Sequence, residues 1–160
     1  MDRNFLILNA AYLVFALPLS YMDSRKFRIS LPLLLAASVA MICVRFFVLP
    51  SQPIPLAKNL FFALASSFLL YFCTRVLTAQ GLGFGDIYFG LFSALYTGFY
   101  MNLIATVFAA LLGVLYYLLL AVVQKIKKSS FVHRPIFAIP FVPFITAGSV
   151  LSMLLFWVIA

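Results

Sequence analysis

The feature that most constrains the fold is an apolar run without any charged residue, which extends from Ile87 to Val123. As a single helix it would be roughly 55 Å long at about 1.5 Å per residue, whereas the hydrocarbon core of a bilayer is roughly 30 Å thick. The run must therefore fold back. Its most favourable break is the sequence TGFYMN, where Gly98 loosens the helix and Tyr100 and Asn102 suit a membrane interface.

The rest of the chain is similarly apolar, because 66% of its 160 residues are hydrophobic and only 9% are charged. Soluble domains carry far more charge. Since hydrocarbon offers no hydrogen-bond partner to the backbone, spanning segments must be helices or a closed barrel. The apolar runs do not alternate with polar residues, which excludes a barrel. The predicted fold class is all-α, a polytopic membrane protein that forms a single domain over residues 1–160.

A length of about 20 apolar residues per crossing divides the chain into about six transmembrane helices. The predicted spans are residues 5–21, 31–49, 57–77, 86–99, 103–123 and 136–159. Pro50 and the turn-rich PSQPIP close the second span, and Pro140 and Pro143 lie in the opening turns of the sixth.

The basic residues predict the orientation, because Lys and Arg accumulate in cytoplasmic loops. With the N-terminus outside, eight of them lie on the cytoplasmic side and three on the outer side. The cytoplasmic set is Arg25, Lys26, Arg28, Arg75, Lys125, Lys127, Lys128 and Arg134, and the outer set is Arg3, Arg45 and Lys58. Topology and attraction to anionic membrane lipids then explain the net charge of +8, and we expect no nucleic-acid partner.

Cysteine and histidine offer no metal site. Cys43 and Cys73 lie in apolar runs, where a cysteine usually behaves as a small buried hydrophobic residue, and no CxxC pair occurs. His133 stands alone in a basic loop, where a solvated surface position is expected. We predict neither a metal nor a cofactor.

Only three acidic residues occur, and all are aspartates. Asp2 lies at the outer N-terminus, whereas Asp23 follows the first span and Asp86 opens the fourth, so that both approach the same membrane face. Asp23 could simply end a helix in a polar loop, although an acid is unfavourable at a helix C-terminus. Asp86 could be an ordinary N-cap. The chain has no glutamate, and two of its three acids lie near one membrane face, which indicates that these two residues have a function.

Two neighbouring aspartates can hydrolyse a peptide bond. Repulsion between them raises one pKa, so that near neutrality the pair shares a proton. The ionised member takes a proton from the attacking water while the protonated member donates to the carbonyl oxygen, and no metal or nucleophilic side chain is needed. The preceding loop of Gly83, Phe84 and Gly85 would let an extended substrate backbone approach, because glycine has no Cβ. Alternatively, the glycines of this loop simply form a flexible turn before a helix.

The sequence GLGFGD, with Asp86 in a GxGD arrangement, and MDSRKFRISLPL around Asp23 resemble motifs of the prepilin peptidases, or type IV leader peptidases. IPFVPFITAG is similar to their Pro-Phe-rich segment before the last helix. The resemblance implies an aspartic endopeptidase of the cytoplasmic (inner) membrane, with its active site facing the cytoplasm and Asp23 and Asp86 as catalytic pair. It also implies the partner, a type IV pilin-like precursor with a basic leader and a hydrophobic helix.

The chain departs from this family's pattern in three places. Residues 29–32 read Ile-Ser-Leu-Pro where an Ile-Pro-Asn type sequence is usual, and Tyr88 stands where a lysine is common. Longer members also carry an N-terminal cysteine-containing region linked with methylation of the new N-terminus. This chain lacks the cysteine pairs, so we expect cleavage without methyl transfer.

Other functions remain open at this point. Presenilin-like proteases share a GxGD loop, but they pair it with a Tyr-Asp motif and a Pro-Ala-Leu motif that this chain lacks. A small cation or proton transporter would need acids near the bilayer midplane, whereas both aspartates are expected at one face. A non-catalytic assembly factor that binds pilin-like helices would have no chemical need for two carboxylates.

Overall fold

The computed structural model describes residues 3–48, 53–78, 82–127 and 140–159. Within these ranges the chain forms six helices and no strand. The helices are α1 (Arg3–Lys26), α2 (Leu31–Val48), α3 (Pro53–Leu77), α4 (Phe84–Thr97), α5 (Phe99–Lys127) and α6 (Val142–Ile159). The predicted all-α class is confirmed. Five of these helices are long and apolar enough to cross a bilayer, and α4, with 14 residues, is the exception.

The predicted break at Gly98 is confirmed. Gly98 has a φ of +76°, a left-handed conformation that glycine adopts readily, and it separates α4 from α5. However, α5 begins at Phe99, several residues before the predicted start at 103. The single glycine is enough to redirect the chain, and the backbone N–H of Asn102 already donates to the carbonyl of Gly98 over 2.9 Å.

Helix α1 extends beyond its predicted span through the polar residues that follow it. It ends at Lys26, and Phe27, with a φ of +50°, closes it by donating its N–H to the carbonyl of Asp23 over 2.9 Å. Asp23 therefore lies inside the last turn of α1 and not after the helix, because hydrophobicity detects only the apolar part of a helix. The predicted beginning of the sixth span at 136–139 and His133 lie outside the described residues.

Helix α4 occupies the centre of the bundle. It packs against α2, α3, α5 and α6. The buried residues of α4 are Ile87, Phe89, Gly90, Phe92, Ser93, Ala94, Leu95, Tyr96 and Thr97. At its ends the N–H of Gly83 donates to Asp86 and the carbonyl of Leu95 accepts from Arg45, and such partners make so short a helix tolerable in a membrane.

Hydroxyl groups connect α4 and α6 with α1. The hydroxyl of Tyr12 lies 3.2 Å from Oγ of Ser93, which in turn hydrogen-bonds with Ser149. Near the end of α1, Oγ of Ser20 lies 2.7 Å from Oγ1 of Thr146. Hydrogen bonds of this kind between membrane helices stabilise by about 0.6 kcal/mol each on average. They fix α1 and α6 against the central helix.

Both cysteines are exposed on the helix surfaces, so the prediction that they are buried is wrong. Cys43 lies on α2 and Cys73 on α3, and both thiols are free. In a membrane protein the lipid-facing surface is as apolar as the interior. An apolar neighbourhood in the sequence therefore does not show which side of a helix faces the core.

Candidate active site

Asp23 is held at the N-terminus of α6. Its side chain is only 7% exposed, and Oδ2 accepts a hydrogen bond from the backbone N–H of Val142 over 3.2 Å. Val142 is the first residue of α6, so the carboxylate meets the positive end of that helix dipole. The favourable dipole of α6 offsets the unfavourable one at the end of α1. The alternative of Asp23 as a solvated loop residue is wrong.

Asp86 is the third residue of α4, and the helix begins two residues earlier than predicted. Gly83 is the N-cap, and Oδ2 of Asp86 accepts the backbone N–H of Gly83 over 3.0 Å. This contact is the reach-back half of a capping box, in which the third helical residue satisfies the backbone of the N-cap. Asp86 is thus not the N-cap itself. It stabilises the turn of the GxGD motif to which it belongs.

The two aspartates line the same cavity, which has a volume of about 400 Å³. The cavity lies between the end of α1 and the beginnings of α2 and α4. Its other lining residues are Phe27, Arg28, Ile29, Leu31, Leu34, Gly83, Phe84, Gly85 and Tyr88. The structure therefore brings together both candidate catalytic residues and all three candidate loop residues.

The environment of Asp86 favours its protonated form. Asp86 lies in the first turn of α4, outside the five helices that are long enough to span the membrane. Burial raises the pKa of its carboxyl to about 6, the negative charge of Asp23 adds to the increase, and the N–H of Gly83 opposes it. Both carboxyl groups line one cavity, and this places them where their charges can interact. One of them can therefore hold a proton where an exposed aspartate is ionised.

Arg75, in the last turn of α3, holds the loop before Asp86. Its guanidinium carbon lies 4.0 Å from the centre of the Phe84 ring, and Nη1 donates to the carbonyl of Leu82. The first contact is a cation–π interaction, and the second fixes the backbone directly before the GxGD turn. From the sequence, Arg75 contributes only to the membrane orientation, because no local pattern relates it to the loop.

The segment in which the chain departs from the prepilin peptidase pattern packs on the GxGD loop. A Cβ atom on Gly85 would lie 3.0 Å from Cδ1 of Ile29. The missing side chain of Gly85 thus makes room for the side chain of Ile29. Tyr88, in place of the usual lysine, lines the cavity and is 45% exposed. It contributes a phenol where a cation would lower the pKa of a nearby carboxyl.

The model of the type IV leader peptidase family matches residues 10–118. The chain belongs to this family. The matched region covers more than half of the chain and includes Asp23, Asp86 and the loop between α3 and α4. Membership in the type IV leader peptidase family implies a peptidase, and together with the apolar helices it identifies an integral membrane protein. Comparison with curated proteins and with solved structures gave no match.

The family match ends before α6, although α6 contributes to the candidate site. Val142, which donates to Asp23, lies after the matched region. The IPFVPFITAG sequence predicts a Pro-Phe-rich entry into the last helix, but it does not reveal a contact with Asp23. That contact depends on how α6 packs against α1, and a sequence pattern carries no such information.

Proposed function

We propose that the protein is an aspartic endopeptidase of the GxGD type that removes the leader peptide from type IV prepilin-like precursors, with Asp23 and Asp86 as the catalytic pair. The observation that carries the proposal is the shared cavity, in which a carboxyl with a pKa of about 6 interacts with a second carboxyl. Membership in the type IV leader peptidase family supports peptide hydrolysis as the reaction. No cofactor is required for it.

In the proposed mechanism Asp23 is the base and Asp86 is the acid. Ionised Asp23, supported by the N–H of Val142, takes a proton from a water molecule whose oxygen attacks the scissile carbonyl carbon. Asp86 donates its proton to the carbonyl oxygen, which yields a tetrahedral diol. Asp23 then passes its proton to the leaving nitrogen while Asp86 recovers one from a hydroxyl group. The peptide bond breaks, and the pair again holds one proton.

The proposed substrate has a hydrophobic helix in the bilayer and a basic leader in the cytoplasm. The cavity lies at the end of the bundle that also carries Arg25, Lys26 and Arg75, which supports a cytoplasmic location in the inner membrane under the positive-inside rule. The precursor's bond between leader and helix would then reach the level of Asp23 and Asp86. We further propose that residues 1–160 form a single peptidase domain.

The experiment that tests this function is coexpression with a candidate type IV pilin-like precursor. We expect the precursor to become shorter on a gel, and N-terminal sequencing of the product to locate one cut between leader and hydrophobic helix. Cells that lack the peptidase provide the control. A non-catalytic assembly factor would instead retain the uncut precursor, and this result in a range of precursors would refute the proposal.

The rate of cleavage should fall as the pH rises above about 6. The acid form of Asp86 predominates below its pKa of about 6 and is lost above it, so proton donation to the substrate fails on the alkaline side. We expect kcat/KM to decrease by about tenfold per pH unit there. Tyr88→Lys should move this decrease to lower pH, because a cation beside Asp86 favours the carboxylate. A profile without an alkaline decrease would contradict Asp86 as the acid.

Replacement of Arg75 by methionine should lower kcat/KM by about tenfold. The variant loses a cation–π contact worth about 0.5–1 kcal/mol and a hydrogen bond worth about 0.5–1.5 kcal/mol, both of which position the GxGD loop. Lys26→Met, a charge change at the same end of the bundle, is the matched control and should have little effect. Equal activity of both variants would show that the loop does not depend on Arg75.

A further inference from the structure

A second cavity, of about 580 Å³, lies at the opposite end of the bundle from the two aspartates. It is lined by the beginnings of α1, α3 and α5 and by the ends of α2, α4 and α6. The aspartate cavity, by contrast, lies at the end of α1 and the beginnings of α2 and α4. The proposed peptidase mechanism makes no use of this second cavity.

Arg45 is the charged group of this cavity. Its side chain is only 8% exposed, Nη1 donates to the carbonyl of Leu95 over 2.7 Å, and Nε has no hydrogen-bond partner among the described residues. The acids that the structure describes, Asp23 and Asp86, lie at the other end of the bundle. A buried cation is strongly unfavourable unless a negative charge compensates it, and the described residues provide none near Arg45. The environment of Arg45 therefore favours binding of an anion.

Arg45 also stabilises the C-terminal end of α4, but this role uses only part of its hydrogen-bonding capacity. The bond to Leu95 uses one of the five N–H groups of a guanidinium. A Cβ atom on Gly98 would lie 3.0 Å from Nη2 of Arg45 and 2.9 Å from Oδ1 of Asn59. Gly98 thus lets the guanidinium lie close to the turn. Two more polar side chains, Asn4 and Thr97, line the same cavity.

The rest of the cavity wall is apolar and aromatic. Phe5 and Trp157 stack with their ring centres 6.3 Å apart, and Phe156 lies beside them in the lining. Trp157 is 44% exposed, and Tyr100, also in the lining, is 71% exposed. Tryptophan and tyrosine concentrate at the level of the lipid headgroups. A buried cation next to an apolar wall at this depth matches a ligand with an anionic head and an alkyl tail.

We propose that this cavity binds an anionic phospholipid from the membrane leaflet opposite the active site. The headgroup phosphate would lie on the guanidinium of Arg45, which suits paired hydrogen bonds to phosphate oxygens. An acyl chain would lie against Phe5, Phe156 and Trp157. Because Arg45 contacts Leu95 near the end of α4, the lipid would also stabilise the central helix. The inference does not depend on the proposed peptidase reaction.

Native mass spectrometry of the purified full chain, titrated with phosphatidylglycerol or with phosphatidylcholine, tests the proposal. We expect one phosphatidylglycerol to bind more tightly than phosphatidylcholine. Arg45→Gln should weaken binding of phosphatidylglycerol by about tenfold or more, the effect of losing charge-assisted hydrogen bonds. Arg3→Gln is the matched control, because Arg3 lies at the same end of the bundle, is exposed and does not line the cavity. It should bind like the wild type.

Arg45→Gln also removes the hydrogen bond to Leu95, so a second variant that keeps this bond is needed. Trp157→Ala removes part of the apolar wall and should weaken phosphatidylglycerol binding several-fold, while inorganic phosphate should compete poorly because it has no tail. Equal affinity of wild type and Arg45→Gln for phosphatidylglycerol would overturn the proposal. Strong competition by inorganic phosphate with unchanged binding by Trp157→Ala would also overturn it, since that result identifies a site for a free anion.

Discussion

Asp23→Asn and Asp86→Asn should each reduce cleavage of a pilin-like precursor by about 10²- to 10⁴-fold, the usual effect of removing a general acid or base. An asparagine amide neither takes a proton from water nor donates an acidic one to a carbonyl oxygen. The amide oxygen of asparagine can still accept the hydrogen bond from the N–H of Val142 or of Gly83. The variants should therefore fold and accumulate in the membrane while losing activity.

Precursor processing on a gel, measured together with the amount of peptidase in the membrane fraction, checks this result. Asp2→Asn replaces the remaining acidic residue of the chain and is the matched control. It should process the precursor like the wild type. Cleavage that persists in both Asp23→Asn and Asp86→Asn would exclude the paired mechanism, whereas an uncut precursor in the wild type as well would indicate the wrong substrate.

Gly148→Ala should destabilise the bundle by about 1–3 kcal/mol, the usual cost of overpacking. A Cβ atom at this position would lie 2.5 Å from the carbonyl oxygen of Ala105 and 2.8 Å from the backbone nitrogen of Ala109. These are backbone atoms of α5, so α5 and α6 must move apart to accept even a methyl group. Small residues at such crossings permit close packing of membrane helices.

The measurement is the free energy of unfolding of the purified protein in detergent, and Gly113→Ala is the matched control. A Cβ atom on Gly113 would lie 3.1 Å from the ring of Phe141 and 4.0 Å from that of Phe144, and side chains can give way. The change also improves helix propensity by about 1 kcal/mol. Gly113→Ala should therefore be neutral or stabilising. Equal destabilisation by both changes would refute the close backbone contact at Gly148.

The sequence predicts the helices, and it predicts that the two aspartates lie at the same end of the bundle, because both depend on the length and order of the apolar segments. Charge-free segments of the required length can only be membrane helices, and Gly98, followed by the interfacial residue Tyr100, is the most favourable place for the run from Ile87 to turn. The side of the membrane then follows from counting crossings. Because two helices, α2 and α3, lie between them, the end of α1 and the beginning of α4 lie at the same end of the bundle, which brings Asp23 and Asp86 together.

The contacts that complete the candidate site depend on packing between distant segments and are absent from the sequence pattern. Val142 meets Asp23, and Arg75 meets Phe84, only because of how α6 and α3 lie against their neighbours. Arg45 is the clearest case. The sequence predicts only that it lies near the outer end of the second span, whereas the structure buries its side chain against α4. Apolar surroundings in the sequence cannot distinguish a lipid-facing side from an interior one.

The short length of α4 bears on how the end of a substrate helix unwinds before cleavage. Its 14 residues amount to about 21 Å, whereas the acyl region of a bilayer measures roughly 30 Å, so the longer helices around it extend past its ends, and the aspartate cavity forms a recess at one of them. Under the proposed function, a precursor drawn to this recess beside Asp86 would have its first turn in water while the remainder stays among acyl chains. That turn could unwind and present an extended peptide, and the enzyme could cut next to a hydrophobic anchor without extracting it.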